Sequence, residues 1–505
     1  MLDRTRFFAG QPQSIWKAAG PDLTFKPLRN DVEADVAIVG GGITGVLCAW
    51  LLSQAKLKVV LLEALRVGEG STGNSTGNLY AVVGSPAPLL RDKELAAGVV
   101  QARAAAVDLI ESIVREQHIE CDFIRAPWTL FSPPGQKHED LEPYRALAEA
   151  GGLRVRDARE DMPMPAQAAI RIEQQAQINP LAFTKILAMR CQSAGCAIYE
   201  QSPVLGIEPG EVCTLATATG SIRARWVILA THTPKGVLKI QTLLAPYREH
   251  GIAVTLKDRM LPPGIFWSAG ETHHSLRRYE FAGRAHLVVV GETHKTGQGE
   301  TEEHFRSLMG YAEAQFPVDS PRYRWSAQAY AAADGVPYIG QSAHGENVLL
   351  ATGFAADGLT YAGVAAPILA DIVRKRSNET ARLFAAGRFA PRSSAKRFLR
   401  ENLNVAGQYL RDFPGSTDAE SFEEVGRGEG KTVSVRGEKH AVYRDYDGAL
   451  HVVSAVCTHM QCVVAWNAAD ASWDCPCHGS RFTVDGAVIE GPALSALPTR
   501  DKRER

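Results

Sequence analysis

The sequence has no charge bias: 55 basic residues against 56 acidic ones leave a net charge of −1. No global field therefore steers the chain toward nucleic acid or an anionic membrane surface. Long apolar runs are missing as well. Stretches such as Val36 to Val39 and Val348 to Ala351 fall far short of the ~20 residues that a membrane-spanning helix needs, so no span is expected. The opening residues, MLDRTRFFAGQPQSIW, have no basic segment followed by an apolar stretch, no twin-arginine pair and no small-residue cleavage site, and a cytoplasmic protein is the expectation. Internal repeats and low-complexity tracts are also absent. Cysteine is sparse, and nine in 505 residues exclude a secreted disulfide scaffold. Their distribution is uneven, however. Cys48, Cys121, Cys191, Cys196 and Cys213 are scattered, whereas Cys457, Cys462, Cys475 and Cys477 fall together.

The length allows two or three domains, and 45% hydrophobic residues are ordinary for packed globular structure. Residues 34 to 63 read as strand, glycine turn, helix, strand, a βαβ unit: Asp35 to Val39, Gly40 to Gly45, an apolar helix to about Gln54, then Leu57 to Glu63. In Gly40-x-Gly42-x-x-Gly45 the first glycine permits a tight turn, the second lets a pyrophosphate approach the backbone, and the third lets helix and strand pack closely. The helix N-terminus offers free N–H groups to phosphates, and Glu63, about twenty residues on, is placed to accept hydrogen bonds from a ribose. A nicotinamide-dependent flavin reductase would carry a second glycine fingerprint. Only one is found, which argues for FAD with electrons drawn from a substrate.

A polar stretch follows from Gly68 to Gly77, then helical patterns around Leu95 to Glu116 and Glu142 to Ala150, and a mixed region to about Ile339. Arg225 to Ala230 and Asn347 to Ala351 read as buried parallel strands, and a helix is expected from Gly363 to Lys375. Short strands near Thr432 to Arg436, His440 to Arg444 and Leu450 to Val456 open a small β domain.

Gly40 to Glu63, Gly70-Ser-Thr-Gly-Asn-Ser-Thr-Gly-Asn78, Ala230-Thr-His-Thr-Pro234 and Ala351-Thr-Gly-Phe-Ala-Ala-Asp-Gly-Leu-Thr360 resemble the FAD-dependent D-amino acid oxidase superfamily, over roughly residues 30 to 375. The resemblance implies oxidation of C–N bonds in amino acids and amines by hydride transfer to the flavin. It also implies FAD contacts from Gly40, Gly42, Ile43, Thr44, Gly45, Glu63, Ser71, Thr72, Asn74, Asn78, Leu79, Thr231, Gly353, Phe354, Asp357, Gly358, Leu359 and Thr360.

Near the C-terminus, Cys457-Thr-His459 and Cys475-Pro-Cys-His478 each offer one thiolate and one imidazole. A mixed [2Fe–2S] cluster takes two thiolates on one iron and two imidazoles on the other. The competing reading is a Cys₂His₂ zinc site, although zinc fingers pair cysteine with cysteine and histidine with histidine. Cys-Thr-His-Met-Gln-Cys462, Cys-Pro-Cys-His-Gly-Ser480 and Gly491-Pro-Ala493 resemble the Rieske protein of the respiratory quinol to cytochrome c reductase. That resemblance implies a disulfide between Cys462 and Cys477, a hydrogen bond from Ser480 to a cluster sulfur, and a covering proline loop. Two departures stand out: Gln461 replaces a glycine, and Phe482 replaces a potential-raising tyrosine. The lost hydroxyl implies a potential below the top of the ~−150 to +300 mV Rieske range.

The expected architecture is α/β, a Rossmann-like FAD-binding domain with an inserted α+β substrate domain, plus a small all-β Rieske domain. The boundaries are 1–390 for the flavin part (FAD-binding segments about 30–90, 175–235 and 335–375), 391–417 for a linker with a helix from Ala395 to Asp412, and 418–505 for the Rieske part. The pairing resembles bacterial fusions of an amino-acid-oxidase-like FAD domain with a Rieske domain. A flavin accepts two electrons and the cluster one, so the expected enzyme oxidises a small amine or amino acid and passes single electrons to an external acceptor. The alternatives are an electron-transfer flavo-iron–sulfur protein reduced by a protein or quinol partner, and a redox-gated flavin site. A carboxylate substrate would need an arginine and a tyrosine near the ring; His274, Arg277 and Tyr330 are candidates, with Arg278 and Tyr279 beside them. Substrate and oligomeric state are not legible.

Overall fold

The protein is described from a computed structural model that covers residues 13–84, 86, 88–135, 141–236, 238–257, 261–270, 273–299, 301–388 and 417–501, the side chain of residue 320 excepted. The expected linker helix from Ala395 to Asp412 lies outside the described residues.

The Val32–Val39 strand alternates its side chains between two faces, as a strand must. Val36 and Ile38 join the helices' core on one face, and Ala37 and Val39 join a second core on the other. Both faces are covered, which is why the segment is almost continuously apolar. An eight-stranded sheet grows around it in the order Tyr338–Gln341, Val348–Thr352, Ser221–Leu229, Val32–Val39, Val59–Leu62, Ala197–Tyr199, with Gly206–Glu208 and Cys213–Ala216 attached at its side. The central pairings are parallel, and the Tyr338–Gln341 edge is antiparallel. Helices Ile43–Gln54, Lys93–Glu116, Pro180–Ser193 and Gly358–Val373 pack on one face, each fully buried Val, Leu or Ile contributing about 1.5–3 kcal/mol. The last helix begins at Gly358, one and a half turns before the expected Gly363. Gly363 instead lies inside it, where an added Cβ would stand 2.8 Å from Ala106 Cβ, so the glycine allows two helices to approach.

A nine-stranded sheet forms the second layer, in the order Val318–Ala332, Leu244–Leu256, Arg284–Lys295, His274–Phe281, Ile265–Ser268, Ile124–Ser132, Ala168–Gln177, Asn78–Leu79, with Val155–Asp157 alongside. Helix Thr301–Gln315 buries Phe305, Leu308, Met309 and Ala312 in a core on this sheet. Its strands come from two stretches of sequence that interrupt the first sheet, the inserted α+β arrangement expected. Residues beyond 417 form two small antiparallel sheets, Glu429–Val435 with Glu438–Arg444 and Leu450–Ser454, and Ala465–Asn467 with Ser472–Asp474, Arg481–Phe482 and Val488–Glu490. Among the described residues no helix is long and apolar enough to cross a membrane.

Candidate functional site: a cavity between two domains

Gly40 adopts φ 107°, and a Cβ there would lie 2.4 Å from Ala230 O. A Cβ on Gly45 would lie 2.0 Å from Gly40 O, so helix Ile43–Gln54 can start directly against the turn only with glycine at both places. No side chain of the helix's own N-cap, Gly42, satisfies its first N–H groups. Ile43 N donates to Thr72 Oγ1 at 3.1 Å, and Gly42, Ile43 and Thr44 face a cavity of about 310 Å³. That helix end is an anion site by geometry and dipole. Glu63 closes the turn from the next strand: Oε2 accepts from Gly41 N at 2.7 Å and Oε1 from Leu65 N at 2.8 Å. Burial pushes its carboxyl pKa up, against those two hydrogen bonds. A glycine cradle, a free helix end and a carboxylate two dozen residues on fit the pyrophosphate and ribose of FAD.

The same cavity is also lined by His232, Lys235, Glu249, Gln328 and, from the C-terminal domain, Val488 to Gly491, Ala493 and Leu494. Burial lowers the Lys235 and His232 pKa values and pushes the Glu249 carboxyl up to about 7. Glu249 is held by Thr293 Oγ1 at 3.1 Å. Burial raises Glu490, but Arg481 and Arg248 outweigh it and keep the carboxylate below its usual range.

The domain contact is dense. Arg248, fully buried, meets Asp470 at 2.5 Å and Glu490 at 3.3 Å, and also bonds Ser326 Oγ. Lys235 Nζ donates to Gly491 O at 2.5 Å, Gly236 N to Pro492 O at 2.9 Å, and Gln328 Nε2 to Gly479 O at 2.7 Å. Gly479 has φ 74°, and a Cβ on it would come within 2.7 Å of both Gln328 Nε2 and Pro246 Cβ.

In the cluster motif, the buried Cys457 and Cys475 thiols are hydrogen-bonded to each other. The His459 and His478 rings are 5.1 Å apart, edge to face. Gln241 Nε2 donates to Pro234 O and Gly236 O, which fixes Gln241 Oε1 as an acceptor. His459 Nε2 lies 3.1 Å from that oxygen and 3.2 Å from Gly236 O, so Nε2 carries the proton and Nδ1 is left bare. His459 Nδ1 and His478 Nδ1 are both buried without a hydrogen-bond partner. Two thiols and two unpartnered imidazole nitrogens are the donor set of a mixed [2Fe–2S] cluster, with the His459 ring oriented by an outer hydrogen bond. Cys462 and Cys477 form a disulfide, Ser480 is fully buried with Oγ accepting from Ala493 N, and Gln461 holds φ 61° where the family's glycine would stand.

Of the residues expected around FAD, Gly40, Gly42, Ile43, Thr44, Glu63, Ser71, Thr72, Asn74, Thr231, Phe354, Gly358 and Leu359 line the cavity. Gly45, Asn78, Leu79, Gly353, Asp357 and Thr360 do not. Asp357 is instead ion-paired to the buried Arg103 at 3.0 Å and accepts from Tyr80 OH at 2.5 Å; Thr360 Oγ1 accepts from Tyr80 N; and Asn78 Nδ2 donates to Ser275 Oγ. The catalytic candidates His274, Arg277 and Tyr330 do not line this cavity. His274 Nε2 is taken by Glu292 at 3.0 Å and its ring stacks on Tyr311. Arg277 is spent on Gly77 O at 2.6 Å, with its guanidinium over Trp16. Arg278 pairs with Glu280, and Tyr279 OH donates to Asp122. Tyr330 does not line the cavity; its hydroxyl accepts from Gln328 Nε2 at 2.7 Å and faces Gly479 O at 3.3 Å. Lys235, Glu249 and Glu490 were missed, because no local motif marks them.

Residues 35–372 match the family model for FAD dependent oxidoreductases (DAO), and residues 417–501 match that for the Rieske [2Fe-2S] domain. The Rieske 2Fe-2S iron-sulfur protein YhfW, so named in Bacillus subtilis (strain 168), is 33% identical over 97% of this chain and 98% of its own length. Gamma-glutamylputrescine oxidoreductase of Escherichia coli (strain K12) is 25% identical over 69% of this chain and 86% of its own. The crystal structure of glycine oxidase from Geobacillus kaustophilus shares the fold, with TM-score 0.59 at 19% identity over 71% of this chain and 100% of its own.

Proposed function

The chain belongs to the FAD-dependent oxidoreductase (DAO) family and carries a C-terminal Rieske domain, and from that premise we propose that it oxidises a small amine or amino acid and delivers the electrons singly to an external acceptor. FAD supplies the hydride acceptor and the [2Fe–2S] cluster a one-electron carrier. The observation that carries the reading is the single cavity, lined both by the glycine turn and by Val488 to Gly491, Ala493 and Leu494 of the Rieske domain. In this reading Gly40, Gly42 and the Ile43–Thr44 helix end hold the pyrophosphate, and Glu63 holds the ribose. The Cys457, His459, Cys475 and His478 side chains hold the cluster.

Glu249 gives the cavity a carboxylate whose ionisation falls near neutrality, suited to pairing with an ammonium group. As general base it would then take one proton from the bound ammonium, becoming the neutral carboxyl and leaving the nitrogen unprotonated. Lys235 and Gly236 tie the loop after the Ser221–Leu229 strand to Gly491 and Pro492. His459 rests on the same loop. Flavin cavity and cluster imidazole thus share one short segment, a direct route for the electron.

The test is anaerobic titration of the purified protein with a panel of amines and amino acids, following flavin absorbance and the cluster's EPR signal. Bleaching of the flavin followed by the reduced-cluster signal supports the proposal. No bleaching by any amine, with rapid reduction by a quinol or a ferredoxin, sinks it.

A further inference from the structure

Three histidines that neither cofactor uses meet beneath the domain contact. His250 comes from the Leu244–Leu256 strand, His294 from the Arg284–Lys295 strand, and His304 from the first turn of helix Thr301–Gln315. A register shift between Arg248 and His250 marks the strand pairing at this point. One ligand nitrogen from each ring can be chosen so that all three lie within 4.8 Å of one another.

The three rings lie nearly parallel, with interplanar angles of 13°, 19° and 11°, and their centroids are 4.4, 5.0 and 5.1 Å apart, nearly an equilateral triangle in which no ring lies between the other two. Three imidazoles bound at about 2.0–2.1 Å to one tetrahedral ion would have centroids about 5 Å apart, so the spacing suits one ion, and the rings would turn about their Cβ–Cγ bonds, out of parallel, to aim three nitrogens at it. Five ring nitrogens here, both on His250, both on His294 and Nε2 on His304, are buried without a hydrogen-bond partner, a concentration that buried polar groups do not ordinarily show. His250 is fully buried, and burial with its two histidine neighbours keeps it neutral, the form that binds metal.

An anion stands behind the group. Glu292 Oε2 lies 3.6 Å from His304 Nδ1, and its other oxygen, Oε1, is fixed by His274 Nε2 at 3.0 Å and by Ser307 Oγ, which donates at 2.8 Å. A carboxylate on one imidazole nitrogen orients the ring and frees the other nitrogen for a metal. Arg248, whose charge is felt at His250, is ion-paired with Asp470 and Glu490.

We infer that His250, His294 and His304 form a binding site for one divalent cation of the zinc class, separate from the iron–sulfur ligands and oriented by Glu292. Three imidazoles leave a fourth position for water or an exogenous ligand. With two strands and a helix held at one point, the ion would brace the sheet on which the Rieske domain is docked. The inference does not depend on the substrate proposal.

The test uses the full chain with flavin and cluster intact. The protein is equilibrated with Zn²⁺, freed of loose metal by gel filtration, and analysed for zinc and iron, with zinc K-edge X-ray absorption for the ligand atoms. The expected result is one zinc per chain beyond the cluster iron, with a nitrogen-only inner shell and imidazole outer-shell scattering. Zinc retention should fall at least tenfold in both His250→Asn and His304→Gln, and Glu292→Gln should weaken the affinity by about 10–100-fold. His304 is at the rim of the site, 21% exposed, so its variant keeps the test decisive if His250→Asn fails to fold; unchanged cluster EPR and flavin content certify the fold. No zinc in the wild type, equal zinc in wild type and His304→Gln, or a sulfur inner shell would each overturn the inference.

Discussion

Replacing Arg248 by methionine isolates what holds the two domains together. The side chain is fully buried and serves Asp470 at 2.5 Å and Glu490 at 3.3 Å. Removing one partner of a buried ion pair costs about 3–5 kcal/mol, because the remaining charge is left without compensation. Here both carboxylates keep Arg481, which reaches Asp470 at 2.7 Å and Glu490 at 2.8 Å, so the lower end, about 3 kcal/mol, applies. On undocking, the two carboxylates regain water, and the cost therefore falls on the docked state alone. At 1.36 kcal/mol per decade, the docking equilibrium should shift about 10²-fold. Hydrogen exchange read by mass spectrometry needs no substrate. Peptides covering 244–256, 469–480 and 488–492 should exchange about 10²-fold faster, while Glu429–Val435 and the cluster EPR signal stay as in the wild type. Adding Asp470→Asn should recover part of the loss. Unchanged exchange across the contact would refute the reasoning.

Glu249, with its carboxyl raised by burial from 4.5 to about 7, is neutral below that value and charged above it. A cationic amine should therefore bind more tightly as pH rises through about 7, and Glu249→Gln should abolish the inflection in a flavin-absorbance titration. The same raised value means that stability contributed by the neutral form is present below pH 4.5 and lost as pH rises through 7. Cys462→Ser opens a disulfide that closes a 15-residue separation, which should cost about 3 kcal/mol and lower the urea midpoint for loss of the cluster's visible circular dichroism; an unmoved midpoint would count against it. Gln461→Gly, at φ 61°, should stabilise the cluster domain by roughly 0.5–1 kcal/mol, visible as a higher temperature of cluster bleaching. Gly45→Ala would place a Cβ 2.0 Å from Gly40 O, so the variant should purify without FAD but with its cluster iron retained.

The sequence made legible what is encoded locally. Gly40 to Glu63 is one continuous βαβ unit whose spacing dictates its own geometry, and the two Cys-x-His and Cys-x-x-His pairs are short turns with their ligands attached. The cavity's other wall is different in kind. Glu249 and Lys235 lie on a strand and the loop before it, and Glu490 joins them from more than 200 residues further along the chain; nothing in their immediate neighbours distinguishes them from surface charges. His274 and Arg277 lie away from the cavity for the converse reason. Their strand runs through the middle of the nine-stranded sheet, and partners remote in sequence, Glu292 for one and Gly77 with Trp16 for the other, claim both side chains. Helix Gly358–Val373 has Asp357 at its N-cap, yet that carboxylate makes no capping hydrogen bond, because Arg103 and Tyr80, both remote in sequence, claim it.

Gly479 has a consequence for how such a chain can change over generations. It belongs to the cluster loop, yet the atoms that forbid a side chain there, Gln328 Nε2, Pro246 Cβ and Tyr330 OH, belong to the flavin domain. A mutation at this position is judged by two folds at once, and a cluster module borrowed from an unrelated gene would have to arrive already carrying this glycine to seat.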